Sequence, residues 1–199
     1  TIHLVSISII FYGGGGIINA GPAACKKFTD FIRTTGYPCT LTLMGLGAYP
    51  ASDKQFLGML GMHGTYEANL AMHQCDVMVA IGSRFDDRIT GRLDAFAPGA
   101  KIIHVDVDPS SINKNVKADI PIIGDVGHVM GQFANAWKKR VKRRHNGKAI
   151  DGWWKQIDQW RSRDCLAYKK DDNVIKPQYA LERLQALTAN RETFITTEV

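Results

Sequence analysis

The sequence predicts an open, doubly wound α/β fold with a mostly parallel sheet and a C-terminal helical linker. Three observations carry that reading. Short apolar, β-branched runs recur at Val77 to Ile81, Ile102 to Val107 and Ile120 to Ile123, as strands buried on both faces require. Segments with apolar residues at helical spacing lie between such runs, as at Ala24, Phe28, Phe31 and Ile32. The stretches rich in Gly, Arg and Asp follow the strand-like runs directly, where folds of this class bind ligands.

In chain order, Val5 to Phe11 reads as a buried strand ending in Gly13 to Gly16, and Ala23 to Thr34 as a helix. Cys39 to Leu43 is a short strand closed by a turn at Gly45–Gly47. Leu57 to Gly64 packs Gly58, Gly61, Gly64 and His63 into a turn, and Thr65 then N-caps a helix running to Gln74. The runs from Val77 and Ile102 suit the middle of a parallel sheet. Ile120 to Ile123 is a further strand, with Val126 to Trp137 as its helix. Lys138 to Ile150 reads as a charged connector. Asp151 to Tyr168 carries Trp153, Ile157, Trp160 and Leu166 as a packing stripe. Asn173 to Pro177 is a second linker, with Pro177 at a helix N1 position before Tyr179 to Leu187. Phe194 to Thr197 begins a strand.

At 199 residues, 45% apolar and 22% charged, the chain suits one domain with an appendage. No apolar run approaches the roughly 20 residues that span a bilayer, so no membrane is implied. The opening Thr1–Tyr12 lacks the basic flank of a signal peptide, and a start at Thr1 inside a strand reads as a piece of a longer chain. The four cysteines, Cys25, Cys39, Cys75 and Cys165, have no metal-ligand spacing and read as buried free thiols of a reducing compartment. The net charge of +6 is local. Seven of the 25 basic residues lie between Lys138 and Lys148, leaving 18 against 19 acidic ones. A solvated basic linker is favoured over a nucleic-acid patch, because no aromatic recognition signature accompanies the run.

Two dense motifs hold the candidate chemistry: LGMLGMHGTYEAN, Leu57 to Asn69, and GSRFDDR, Gly82 to Arg88. Glycines before a helix let a ligand approach the backbone, whose free N–H groups favour an anion. Arg84 and Arg88 offer charge-assisted hydrogen bonds to phosphate or carboxylate. From spacing alone, a buried turn with a surface ion-pair cluster explains the same residues equally well. Gly14-Gly15-Gly16 lacks the third glycine of the dinucleotide fingerprint and is weak by itself.

These segments, together with TLMGLGAYP (Thr42 to Pro50), FDDRITG (Phe85 to Gly91), HVDVDPSSINK (His104 to Lys114) and IIGDV (Ile122 to Val126), resemble the catalytic subunit of acetohydroxyacid synthase (acetolactate synthase), bacterial type. The likeness runs from about Tyr12 to Val199, while Thr1 to Ile10 departs from it and Gly13 replaces a larger residue. The resemblance implies a cytoplasmic bacterial enzyme that joins the two-carbon unit of decarboxylated pyruvate to pyruvate or 2-ketobutyrate, early in branched-chain amino-acid synthesis. It implies a Rossmann-like central domain over 1–137 that binds FAD without net redox use. The connector and linker helix then cover 138–177, and 178–199 starts a thiamine pyrophosphate domain.

Thiamine diphosphate and Mg²⁺ would lie outside this chain, since the activating glutamate precedes Thr1 in the family and the GDG…NN motif follows Val199. Gly124-Asp125-Val126 lacks the third glycine and the Asn pair, so no complete active site is expected. By the same resemblance, Gly14, Gly15, Gly16 and Arg84 contact the pyrophosphate and ribityl chain. Thr42, Leu43, Leu60, Gly61, Met62 and His63 pack around the flavin. Gly82, Ser83, Asp86, Arg88 and Ile89 run alongside, and Asp106, Val107, Asp125 and Val126 surround the adenosine half. Met62, Asp87 and Arg88 also match positions lining the substrate channel, where a guanidinium pairs with a 2-ketoacid carboxylate. A structural Arg88–Asp87 pair is the alternative. The implied partners are the rest of the catalytic subunit, a second copy and a regulatory small subunit. The rivals are another flavin-containing thiamine enzyme, such as glyoxylate carboligase, and a stand-alone nucleotide-binding regulatory module.

Overall fold

The computed structural model describes residues 8–144 and 147–196. Two compact units divide at Arg163 and Asp164. In the first, the chain runs β1 (Ile9–Gly13), α1 (Gly15–Asn19), α2 (Pro22–Thr35), β2 (Cys39–Leu41), β3 (Phe56–Met59), α3 (Tyr66–Gln74) and β4 (Val77–Ile81). It continues through α4 (Asp87–Thr90), β5 (Lys101–Asp106), β6 (Ile120–Ile123), α5 (Val126–Arg144) and α6 (Gly147–Arg161). Every strand pair is parallel, and the order is β3-β2-β1-β4-β5-β6. This is the doubly wound α/β fold read from the sequence, with its switch point between β1 and β4.

Alternation along the two central strands builds two cores. Ile9 and Phe11 of β1, with Val77, Val79 and Ile81 of β4, face Phe28, Phe31 and Ile32 of α2 and Val129 and Met130 of α5. Ile10, Tyr12, Met78 and Ala80 face the other way, onto Ala68 and Ala71 of α3 and Trp153, Ile157 and Trp160 of α6. A fully buried side chain of this size contributes about 1.5–3 kcal/mol, so both faces of the sheet must be covered. Helix α2 begins with Pro22 at its first turn and ends at Gly36, whose left-handed φ of 75° lets its N–H return to Ile32 O.

Several elements differ from the sequence reading. Val5 to Ile7 lie outside the described residues, and β1 begins at Ile9. Leu43 leaves β2 for a 3-10 turn, and Val107 lies just beyond β5. Phe56–Met59, which the sequence presents largely as a turn, is an edge strand against β2. The basic run is not a loop: α5 carries on to Arg144 and α6 opens at Gly147.

Helix α6 is tied to the sheet by Trp153 Nε1 donating to Ile9 O at 3.1 Å and by Trp154 Nε1 donating to Gly36 O at 2.8 Å. Arg161 donates to the carbonyls of Lys54 and Phe56, each at 2.8 Å. Leu166 does not join this stripe; it lies past the helix end, 70% exposed. None of the four cysteines forms a disulfide; Cys39 and Cys75 are buried, Cys25 is half-buried and Cys165 is exposed.

The second unit holds α7 (Pro177–Thr188), with Pro177 in its first turn as the sequence predicts. Tyr168 donates to Glu182 Oε2 at 2.6 Å. Phe194 to Thr196 form no strand, since no neighbouring strand among the described residues pairs with them, and Thr197 lies outside the described residues. Among the described residues no helix is long and apolar enough to cross a membrane.

Candidate functional site

Because all strands are parallel, the loops after β1 to β6 rise along one edge of the sheet. The loops of β1 and β4 meet at the switch point by backbone contact. Gly14 and Gly16 donate to Ile81 O and Gly82 O, both at 2.9 Å. A Cβ on Gly14 would stand 2.2 Å from Gly82 O, so only glycine fits there. The sequence suggests glycines that open the backbone to a ligand. Here they first serve close approach of chain to chain, and two of their N–H groups are already taken.

The β2 loop joins the same cluster through Thr42 N–H, which donates to Gly13 O at 2.9 Å. The Thr42 hydroxyl then accepts from Gly45 N at 3.0 Å, which closes the 3-10 turn and leaves Leu43 and Met44 exposed. After β3, Gly61 takes a φ of 101° with its Cα against the Arg88 carbonyl, and Met62 N–H donates to that carbonyl at 2.9 Å. Asn69 fastens the turn by accepting from Gly61 N and donating to Gly61 O, both at 3.0 Å. Thr65 caps α3, accepting from Ala68 N at 3.3 Å, as the sequence indicates. The turn thereby brings Met62 beside Arg88 and Asp87, the three residues assigned above to one channel.

The β4 loop presents the charges. Ser83 is buried, with its hydroxyl 3.5 Å from Tyr12 O. Arg84 points to solvent, its guanidinium only 3.5 Å at nearest from Asp86 Oδ2. Asp87 Oδ1 accepts the backbone N–H of Arg88 at 3.0 Å. Arg88 itself is exposed. Ile89 is half-buried, and His63 is exposed.

Under this loop lie two groups with shifted titration. Burial, helped by the charge of Asp86, pushes the Tyr12 phenol far up. Burial pulls His104 below the ordinary imidazole range, against the opposing Ser83 carbonyl and Asp106 charge. His104 Nε2 lies 2.9 Å from Ser83 O, and Asn115 Nδ2 donates to Phe85 O at 2.6 Å. Neither residue stands out in the sequence as a site residue. Their only signal is position, His104 opening the HVDVDPSSINK segment and Asn115 directly following it, with no spacing that marks a ligand.

Beyond the switch point, buried Asp106 ends β5 and accepts from Asp108 N at 2.9 Å, with Val107 exposed beside it. Gly124 N–H links β6 to Asp106 O at 3.0 Å. Asp125 caps α5 by accepting from His128 N at 2.8 Å. Two of the expected cofactor contacts have their side chains in the cores instead: Leu60 is 2% and Val126 3% exposed. The others lie along one edge, where Leu43, Met44, Met62, Val107 and Ile123 expose apolar surface between the charged loops.

Residues 6–133 match the thiamine pyrophosphate enzyme central domain. The acetolactate synthase large subunit of Haemophilus influenzae is 43% identical over 192 residues, covering 96% of this chain and 32% of the relative. The isozyme 3 large subunit of Escherichia coli is 44% identical over 190 residues, with the same coverage. An acetolactate synthase of Mycobacterium avium is 42% identical over 180 residues, 88% of this chain and 28% of the relative. The chain thus spans about a third of the length of the curated relatives it matches. With a six-stranded parallel sheet matched across nearly its whole extent, the chain belongs to the family of thiamine pyrophosphate enzyme central domains.

Proposed function

We propose that this chain is the central part of an acetolactate synthase catalytic subunit and that its carboxyl edge binds FAD across the switch point. The observation that carries the flavin reading is Arg84, an exposed side chain between buried Ser83 and Phe85 where β1 and β4 part. The residues present fit the cofactor. Arg84 pairs with the diphosphate, and Asp106 at the end of β5 meets a ribose diol through its carboxylate. Exposed Leu43 and Met62 supply an apolar wall for the flavin ring. The flavin supplies no net electrons to a carboligation and acts there as structure.

Thiamine diphosphate and Mg²⁺ bind outside this chain on this reading. Asp125, the one candidate for a GDG-like contact, is engaged in capping α5. Arg88, exposed beside Met62, clamps the carboxylate of the acceptor ketoacid through two parallel hydrogen bonds. A second copy and a regulatory small subunit complete the assembly, in the bacterial cytoplasm.

One titration series tests both arginines in the full-length enzyme. Arg84→Ala loses a charge-assisted contact of about 1.5–3 kcal/mol and weakens FAD binding more than Arg88→Ala does. Arg88→Ala instead shifts the ratio of 2-acetolactate to 2-aceto-2-hydroxybutyrate, because the clamp orients the acceptor. Equal flavin affinities in the two variants, with an unchanged product ratio, defeat this division of roles.

A further inference from the structure

Arg84 is a long side chain on the surface, yet the backbone beneath it is held on both sides. The carbonyl before it, Ser83 O, is 2.9 Å from His104 Nε2. A carbonyl only accepts, so Nε2 carries the hydrogen. The carbonyl of the next residue, Phe85 O, accepts from Asn115 Nδ2 at 2.6 Å. His104 comes from β5, is fully buried, and meets the Phe85 ring edge-on at 5.0 Å. Asn115 comes from the segment between β5 and β6. Two donors from outside the loop thus fix the peptide groups on either side of the Arg84–Phe85 pair. With Phe85 itself buried between them, this restricts the backbone torsions of Arg84, and with those the direction of its Cα–Cβ bond.

The side chain has no comparable brace. It is 67% exposed, and its guanidinium contact with Asp86 is long. Direction must therefore come from the backbone, and a cation aimed in advance loses less freedom when it meets an anion. We propose that His104 and Asn115 are positioning residues for Arg84, pinning the Ser83 and Phe85 carbonyls so that the guanidinium faces the anion bound at the switch point. The inference rests on the diphosphate role given above to Arg84.

A double-mutant cycle on the full-length enzyme, read by FAD titration, separates the two ideas. Asn115→Ala lowers FAD affinity about five- to tenfold in the wild-type background and less than about twofold when Arg84 is already Ala, since coupled residues are non-additive. Equal losses in both backgrounds overturn the positioning role and leave Arg84 as a flavin ligand. An Arg84→Ala variant with unaltered affinity overturns the flavin reading and the positioning role together. For His104, Gln keeps an N–H donor at similar reach and Leu does not. His104→Gln holds affinity within about twofold while His104→Leu loses it. Equal losses in Gln and Leu remove His104 from the proposal. Thermal melting of each variant identifies any that fails to fold. In that case the Asn115 cycle and the Gln variant still decide the matter.

Discussion

His104 shows how one buried ring couples a loop to solution conditions. Burial is the main cause of its depressed basicity, with Ser83 O and Asp106 opposing. Its folded pKa lies below the ordinary 6.5, so the unfolded chain takes up a proton first as pH falls. Its contribution to stability is therefore fully present above the ordinary imidazole range. It is lost as pH drops from there toward the folded value, by at most about 1.4 kcal/mol per pH unit. Denaturation midpoints across roughly pH 5 to 8 should fall on the acid side for the wild type and fall less for His104→Gln. A parallel decline in both proteins would assign the acid sensitivity to other groups. The exposed arginines of the neighbouring motif are legible in the sequence because charge clustered after an apolar run is conspicuous. His104 and Asn115 are not, because their partners are backbone carbonyls, which leave no mark on residue identity.

At the scale of elements, what the sequence displays is hydrophobic period, and what it conceals is pairing and continuity. Val77–Ile81 and Ile120–Ile123 are readable to the residue, since their apolar runs end abruptly at glycine. Phe56–Met59 is not, because Gly58 takes a φ of 90° inside a four-residue edge strand and resembles a turn. The basic run misleads in the opposite direction. Lysine and arginine are good helix formers, and charge density alone does not end a helix. Helix α6, which the sequence presents as part of a linker, covers one core together with α3, through Trp153, Ile157 and Trp160. Trp153→Ala removes both that packing and the hydrogen bond to Ile9 O. It should cost about 3–5 kcal/mol, measurable by chemical denaturation of the full-length protein. A loss below about 1 kcal/mol would mean that α6 is dispensable to the core.

For the whole molecule, the fold class and the shared edge of the candidate loops are both implied by strands alternating with helices. The order of strands is not, because parallel pairing links segments far apart in the chain. The match covers 32% of the relatives that carry the acetolactate synthase name. The 199-residue chain by itself should therefore give no acetolactate, even with pyruvate, thiamine diphosphate, Mg²⁺ and FAD supplied. Colorimetric detection of acetoin after acidification checks this. Turnover comparable to the full-length enzyme would place the thiamine chemistry within these residues.

The contact of Gly14 and Gly16 with Ile81 and Gly82 has a consequence for motion. β1, β2 and β3 form one half of the sheet and β4, β5 and β6 the other, so these two amides are rivets across the seam. Each hydrogen is held by a carbonyl of the opposite half and is released when the halves part. Amide hydrogen exchange at Gly14 and Gly16 should therefore report separation of the halves, at a protection close to that of the core strands. A nucleotide lying over the seam would slow that exchange further, about a hundredfold when present at 100 times its dissociation constant. The same two hydrogens would then serve as a gauge of occupancy that needs no catalytic turnover.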